Sequence, residues 1–336
     1  MTQTLGSRGV KVVVIGGGTG SFVLLSGLKT HTDKITALVS MADDGGSTGI
    51  LRSELGTLPP GDVRQCLVAL SEKSELRDLF SYRFDKGTFE GHAFGNIFLS
   101  ALEKTTGSFA RSVELASDIL KITGVVEPMT LSNIVLAMRD DSGQEARGEF
   151  EIAHRQFAGK ECEFWLEPSA EPNPRAIQAI ERADIIVIAP GSLYGSLAPA
   201  LLVDGVGDAL ARSSAAKVYI ANLVTQRGQT DGFTAADFAD EVERLAGTPF
   251  LDAVIYNTAQ PSRAHFKQYE MYGELSIEPG DVRGKHHRLV GAPLISDAMC
   301  VGDQADPIAR SRSLLRHDPL ATADAICEWY HPYALC

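Results

Sequence analysis

The sequence predicts an α/β protein with a Rossmann-like, doubly wound, mostly parallel sheet and a small β-rich insertion. Two short runs of branched apolar residues, at 12–15 and 185–189, each end in a glycine-containing turn and are followed by a helical pattern. That order is typical of βαβ units, which wind right-handed into parallel sheets. Between them lie consecutive short strand patterns. We therefore expect residues 9–124 and 171–336 to form the two halves of a nucleotide-binding α/β core, with the insertion at residues 125–170.

Two periodicities locate the individual elements. Apolar residues recur at helical spacing after His92, at Phe94, Ile97, Phe98 and Leu102, whereas the strand patterns are short and rich in β-branched residues. The predicted core strands are residues 11–15, 34–41, 184–189, 217–222 and 251–256; the predicted helices are 21–29, 62–71, 92–106, 111–121, 175–182, 197–211, 234–245 and 319–330; the insertion strands are 133–139, 148–154 and 161–166, with a hairpin turn at 140–144.

The composition narrows the classes of function. Hydrophobic residues make up 44% of the 336 residues, which is enough for a sizeable core. The formal net charge of −12 repels nucleic acid and anionic membranes, so we expect neither as a partner. The five cysteines are widely spaced without a C-x-x-C pair, as in a reducing compartment. The first ten residues carry no signal-peptide pattern and no apolar run is long enough to span a bilayer, so we expect a cytoplasmic protein.

Small or polar residues directly follow five of the predicted strands. Because the carboxyl ends of parallel strands share one edge of a sheet, these clusters are expected to converge there. That edge is where doubly wound folds bind their ligands. The clusters are residues 16–20, 43–49, 190–196, 222–226 and 257–258.

The first cluster has the composition of a phosphate-binding turn. Gly17, Gly18, Thr19 and Gly20 stand between a strand and a helix, where glycines allow close backbone approach and the helix start offers unpaired N–H groups. We expect a diphosphate here; a tight turn without a ligand is the alternative. Ser21 in the sixth position breaks the G-x-G-x-x-G spacing, and the P-loop lysine is missing, so the turn is neither a standard NAD fingerprint nor a P-loop.

The second cluster brings two carboxylates to the same edge. Asp43 and Asp44, followed by Gly45 and Gly46, can accept hydrogen bonds from a ribose or hold Mg²⁺. A solvated loop with a helix N-cap is the alternative. No catalytic group can be assigned, because no nucleophile–base pair stands out.

Further ligand contacts are expected from the remaining clusters. Hydroxyl and backbone N–H groups after the strand at 184–189 suit a second anion nest, and the polar loop after the strand at 217–222 can supply sugar contacts. These candidates are Gly191, Ser192, Leu193, Tyr194, Asn222, Thr225 and Gln226, together with Asn96 for a base or sugar and Arg316 for a phosphate.

Seven runs in this chain, between residues 12 and 318, resemble one family. The runs are VVIGGGTGS, ADDGGSTGILRSELG, LPPGDVRQCLVAL, GHAFGNIFLSAL, APGSLYGSLAP, KVYIANLVTQRGQTDGFTAADF and RHD. By these motifs the chain is similar to the YvcK/CofD-like family, and specifically to its YvcK branch of gluconeogenesis factors. The family's threonine in the fifth of these runs is replaced here by Gly195.

The resemblance implies a UDP-sugar-binding regulator, with UDP-N-acetylglucosamine as ligand and a protein partner in cell-wall precursor synthesis. It would link carbon metabolism to cell-wall supply and cell shape. The resemblance also implies roles for individual residues. The turn at 17–20 would contact phosphate, and Asp43 and Asp44 would contact ribose or a metal. Asn96, Ser192 and Asn222 would line the cleft, and Arg316 would contact the UDP-sugar.

Two rival functions remain open, and a homo-oligomer is compatible with either. The CofD branch of the same family implies a Mg²⁺-dependent transferase that moves 2-phospholactate from a guanylyl carrier to a deazaflavin. An NAD-binding protein is the second rival, since an acidic cluster follows the second predicted strand. We favour the regulator because neither an activated nucleophile nor a dense metal cluster beyond Asp43 and Asp44 stands out in the sequence.

Overall fold

A parallel seven-stranded sheet forms the centre of the protein. The computed structural model describes residues 9–157, 159–260, 275–296 and 315–331. Within them the sheet has the order β10-β9-β8-β7-β1-β2-β3, and every neighbouring pair is parallel. Its strands are β1 (Val12–Gly16), β2 (Ile35–Val39), β3 (Val125–Pro128), β7 (Ile185–Ile188), β8 (Ala216–Ile220), β9 (Ala253–Asn257) and β10 (Arg288–Ala292).

The strand order reverses beside the first strand. From β1 the chain adds β2 and then β3 on one side, whereas β7, β8, β9 and β10 follow in sequence on the other. Adjacent strands β1 and β7 therefore form the topological switch point, outside whose carboxyl ends open α/β sheets bind ligands. Both strands are fully buried, which explains why the sequence shows continuous apolar runs there.

Helices cover the sheet. The first helix packs against the third and the last, and several helices begin at side-chain caps, including a capping box at Thr234. The helices are α1 (Gly18–Leu28), α2 (Gly46–Leu55), α3 (Gly61–Leu70), α4 (Ser74–Ser81), α5 (Phe94–Thr106), α6 (Phe109–Leu120), α7 (Glu149–Ala153), α8 (Pro174–Arg182), α9 (Ala198–Leu201), α10 (Val206–Arg212), α11 (Ala235–Ala246) and α12 (Pro319–Tyr330). Among the described residues, none of the helices is long and apolar enough to cross a membrane.

The insertion is a three-stranded antiparallel sheet. Its central strand β4 (Val135–Arg139) pairs with β5 (Glu145–Arg147) and β6 (Glu163–Glu167). The predicted boundary needs a correction, because β3 pairs in parallel with β2 and belongs to the large sheet. The insertion therefore begins after Pro128 rather than at residue 125. A four-residue strand with only two β-branched residues does not reveal from its sequence which sheet it joins.

One predicted strand of the insertion is wrong. Residues 148–154 were predicted as a strand because polar and apolar residues alternate there, yet the chain forms α7 at this place. Gly148 adopts φ +101° at the N-cap position, and the Asp44 carboxylate accepts a hydrogen bond from the Phe150 amide at 2.7 Å. A tertiary contact from the second cluster thus supplies the cap that the local sequence does not show.

Three other elements differ from expectation. The predicted helix at 197–211 is broken into a π-helical turn (Leu193–Leu197), α9 and α10. No helix was predicted directly after Asp44, yet the chain forms α2 there, which ends in a left-handed glycine, Gly56. The edge strand β10 falls in a region for which no element could be predicted from the residue pattern. The α/β class with a mostly parallel sheet is confirmed.

Candidate functional site

A cavity of about 360 Å³ opens at the carboxyl edge of the sheet, above the switch point. The loops after β1, β2, β7 and β8 contribute to its walls, as four of the five predicted clusters would, and α7 closes one side. The cluster after β9 is not in the lining. Of the predicted ligand-binding residues, Gly18, Thr19, Gly20, Asp43, Gly191, Ser192, Asn222, Thr225, Gln226 and Arg316 line the cavity.

One wall consists of backbone from two loops. Helix α1 begins at Gly18, which adopts φ +64°, and its N-cap residue Gly17 provides no side-chain cap. The first amides of the helix have no intrahelical acceptor, so they can bind an anion at the cavity surface. Gly20 lies so close to the second loop that a Cβ would stand 1.6 Å from the carbonyl oxygen of Pro190. Only glycine permits this approach, which brings the two loops together.

The Asn222 side chain fixes the second loop through two hydrogen bonds to the Gly191 backbone, which we call the Asn222 clip. The Asn222 Nδ2 donates to the Gly191 carbonyl at 2.7 Å, and the Gly191 amide donates to Asn222 Oδ1 at 3.3 Å. The buried Tyr219 hydroxyl donates to the same oxygen at 3.1 Å. Ser192 accepts from the Gly195 amide at 3.1 Å and so begins the π-helical turn. Asn222 therefore positions the loop as well as lining the cavity.

The cavity lining also contains three carboxylates, from Asp43, Asp62 and Glu149, which we call the acidic wall. Burial, and after it the nearby carboxylates of Asp43, Asp62 and Asp44, together raise the pKa of Glu149 to about 8. Burial also raises the pKa of Asp43, against the hydrogen bond that it accepts from the Gly45 amide at 3.0 Å. Carboxylates concentrated in this way favour either a bound proton or a cation.

Glu149 and Asp62 are site residues that the sequence did not single out as ligand contacts. Asp62 lies in the first turn of α3, and a Cβ on Gly17 would stand 2.1 Å from its Oδ2. Glu149 belongs to the insertion and reaches the cavity only because that segment is helical. Its Oε1 would lie 2.2 Å from a Cβ on Gly195, so the glycine there leaves room for this carboxylate. No local signal could have identified Glu149.

Several predicted residues lie outside the cavity lining. The Asp44 carboxylate caps α7, and Gly45 and Gly46 lead into α2. Leu193 and Tyr194 are buried, and the Tyr194 ring stacks on Phe164 with 4.6 Å between centroids. Gly17, the N-cap residue of α1, is also outside the lining.

Asn96 belongs to a buried polar network. It is 3% exposed; its Oδ1 accepts from Arg64 Nε at 2.8 Å and its Nδ2 donates to Ser47 at 3.2 Å. Ser47 in turn lies 3.0 Å from the Nδ1 atom of His92. The network joins α2, α3 and α5 and so positions those helices relative to one another.

The last part of the cavity comes from the segment before α12. Arg316 lines the cavity and adds a positive charge. His317 Nε2 lies 3.1 Å from the Ala221 carbonyl, and burial lowers the pKa of His317 to about 4. That imidazole is therefore neutral at physiological pH and adds no charge beside the guanidinium.

The comparisons with known proteins agree with this architecture. A family described as 2-phospho-L-lactate transferase CofD matches residues 12–295. The gluconeogenesis factors of Listeria monocytogenes and Bacillus subtilis are 41% and 36% identical; the matches cover 94% and 95% of this chain and 94% and 97% of the relatives. A crystal structure of a UPF0052 family member from Bacillus halodurans superposes with a TM-score of 0.86 at 36% identity, covering 94% of this chain and 98% of the other.

Proposed function

Since the chain belongs to the CofD-like family, with gluconeogenesis factors as relatives over nearly its whole length, we propose that it is a regulatory protein that binds UDP-N-acetylglucosamine. The cavity at the carboxyl edge is the proposed binding site. Through a protein partner, it would link carbon metabolism to cell-wall precursor supply and cell shape. The single observation that supports binding is the wall of backbone groups at residues 18–20, 191, 192 and 195.

The backbone wall formed by the loops after β1 and β7, which we call the amide wall, suits a diphosphate. It concentrates N–H hydrogen-bond donors, so few cationic side chains are needed. Backbone N–H groups at a helix start and in a glycine-rich turn bind phosphate oxygens, and the helix dipole adds to the attraction. Arg316 can pair with a second phosphate oxygen. Thr225 and Gln226, on the loop after β8, line the same cavity and can serve the attached sugar.

A diphosphate placed in this cavity also faces the acidic wall. The ionised carboxylates of this wall would repel a diphosphate, so we infer that a divalent cation would be needed for both to share the cavity. Asp43, Asp62 and Glu149 offer hard oxygen ligands of the kind that Mg²⁺ prefers. Asp44, the other carboxylate considered for a metal, is occupied with the cap of α7.

This acidic wall favours a second candidate function, a Mg²⁺-dependent transferase of the 2-phospho-L-lactate type. Mg²⁺ would neutralise developing charge on a transferring phosphoryl group, while the amide wall would hold the remaining phosphate. The cavity lining contains no pair of nucleophile and base in the described part of the chain, and that favours the regulator.

Calorimetric titration distinguishes these candidates. UDP-N-acetylglucosamine, GDP and NAD⁺ are each titrated into the protein with and without Mg²⁺. The regulator predicts the tightest binding for the UDP-sugar and an unchanged ligand after long incubation. A Mg²⁺-dependent preference for GDP would support the transferase, and a preference for NAD⁺ would contradict both.

A pair of asparagine variants tests the location. A Cβ on Gly18 would lie 3.7 Å from Asp62 Oδ1 and 3.8 Å from Ser196 Oγ, both in the cavity. Gly18→Asn therefore fills the site, and asparagine tolerates the left-handed backbone. Gly87→Asn is the matched control, because Gly87 has φ +79° with no atom within 4 Å of its Cβ position. We expect Gly18→Asn to weaken UDP-sugar binding at least tenfold, about 1.4 kcal/mol, and the control to leave it unchanged.

A further inference from the structure

A second cluster of ligating side chains lies far from the cavity, at the opposite edge of the sheet. Glu243 is in the last turn of α11, and His286 and His287 immediately precede β10. Phe250 and Leu251, which contact the same carboxylate, precede β9. Because the strands are parallel, this is the amino edge, whereas the cavity opens at the carboxyl edge.

The three side chains converge closely. One ligand atom from each of Glu243, His286 and His287 lies within 4.8 Å of the other two. His286 Nε2 is 2.8 Å from Glu243 Oε1, and the two imidazole centroids are 5.1 Å apart. In a tetrahedral zinc site the ligand atoms stand about 3.4 Å apart, so a small rotation of the exposed His286 would complete the geometry.

The decisive observation concerns His287. Its side chain is 3% exposed, and neither ring nitrogen has a hydrogen-bond partner among the described residues. A buried imidazole without partners is costly, since buried polar groups are nearly always paired.

The carboxylate is oriented as well as buried. Glu243 Oε1 accepts hydrogen bonds from the Phe250 and Leu251 amides at 2.7 and 2.8 Å. In the described part of the chain, all hydrogen bonds to this carboxylate fall on Oε1, which leaves Oε2 to coordinate. Ligating carboxylates are commonly fixed by hydrogen bonds in this way.

We propose that Glu243, His286 and His287 form a binding site for a divalent transition-metal ion of the zinc type. Two imidazoles and one carboxylate suit Zn²⁺ and its neighbours rather than Mg²⁺, and water completes the four ligands. The ion ties the segment before β10 to α11 and so fastens the edge strand of the sheet. This site is independent of the proposed nucleotide cavity.

Zinc titration of the full chain, after chelator treatment and gel filtration, tests the site. We expect one equivalent of bound Zn²⁺ and a higher melting temperature, because an ion that binds only the folded state stabilises it. His286→Ala and His287→Leu should each weaken binding at least about tenfold. His286 is exposed, so its variant keeps the fold; Arg283→Ala, on the same loop and with Arg283 91% exposed, is the control that retains binding.

Cobalt substitution identifies the ligands. Co²⁺ held by imidazole and carboxylate absorbs as a tetrahedral complex without the thiolate charge-transfer band that a cysteine site would give. Unchanged zinc binding in both histidine variants, a thiolate band, or no bound zinc in the parent protein would each overturn the proposal. Asp43→Asn should leave zinc affinity unaltered; a loss there would place the ion in the cavity instead.

Discussion

Replacing Glu149 by glutamine should remove a loss of folding stability that the protein suffers as pH rises. The Glu149 pKa rises from its ordinary 4.5 to about 8, chiefly through burial and then through the neighbouring Asp43, Asp62 and Asp44. Between these values the folded protein holds a proton that the unfolded chain has released. Stability is therefore lost as pH rises, from above 4.5 until just above 8.

The magnitude follows from the size of that window. The slope is at most about 1.4 kcal/mol per pH unit, and the open cavity screens part of it, so we expect a total of about 2–3 kcal/mol. Glu149→Gln should match the parent near pH 5 and exceed its free energy of unfolding by this amount at pH 8.5. Mg²⁺ should raise the free energy of unfolding of the parent protein at pH 8.5 and leave that of Glu149→Gln nearly unchanged.

Urea unfolding at pH 5, 7 and 8.5 measures the difference. Glu151→Gln is the matched control, because Glu151 is exposed on the same short helix, and it should follow the parent at all three values. Asp43 also has a raised pKa, so the free energy of unfolding should still fall somewhat with pH in both the parent and Glu149→Gln. Parallel curves for Glu149→Gln and the parent would refute the reasoning.

Three further substitutions test the framework of the site. Gly20→Ala drives a Cβ to 1.6 Å from the facing carbonyl, so urea unfolding should show a loss of about 3 kcal/mol; a loss below 1 kcal/mol would contradict the close approach. Tyr219→Phe removes the bond to Asn222 and should cost about 1 kcal/mol, with weaker UDP-sugar binding in calorimetry; unchanged affinity would show that the clip does not position the loop. Asn96→Ala removes the acceptor of Arg64 Nε and should cost about 2–3 kcal/mol without a direct effect on ligand contacts; a neutral result would contradict the buried network.

The strands at the centre of the fold could be predicted because continuous apolar runs mark them. Buried parallel strands require continuous apolar runs, and those runs mark β1, β7, β8 and β9 to within a few residues. The family resemblance is also confirmed by the comparisons. The convergence of strand-end clusters followed from topology alone, since parallel strands place their carboxyl ends together.

The acidic wall could not be predicted, because tertiary contacts create it. Residues 148–154 alternate like a strand, and only the cap from Asp44 explains the helix that brings Glu149 to the cavity. The π-helical turn that breaks the predicted helix begins at the Ser192 cap, next to Gly191, which Asn222 binds. The family resemblance implied a position in the cleft for Asn96, yet its side-chain amide hydrogen-bonds Arg64 and Ser47 instead.

The most direct test of the central claim is a crystal structure of the protein with UDP-N-acetylglucosamine and Mg²⁺. We expect the diphosphate within hydrogen-bonding distance of the amides of Thr19 and Gly20, with the cation between it and the carboxylates of Asp43 and Glu149. Nucleotide density anywhere other than the carboxyl edge beside β1 and β7, or a diphosphate turned away from those amides, would contradict the account.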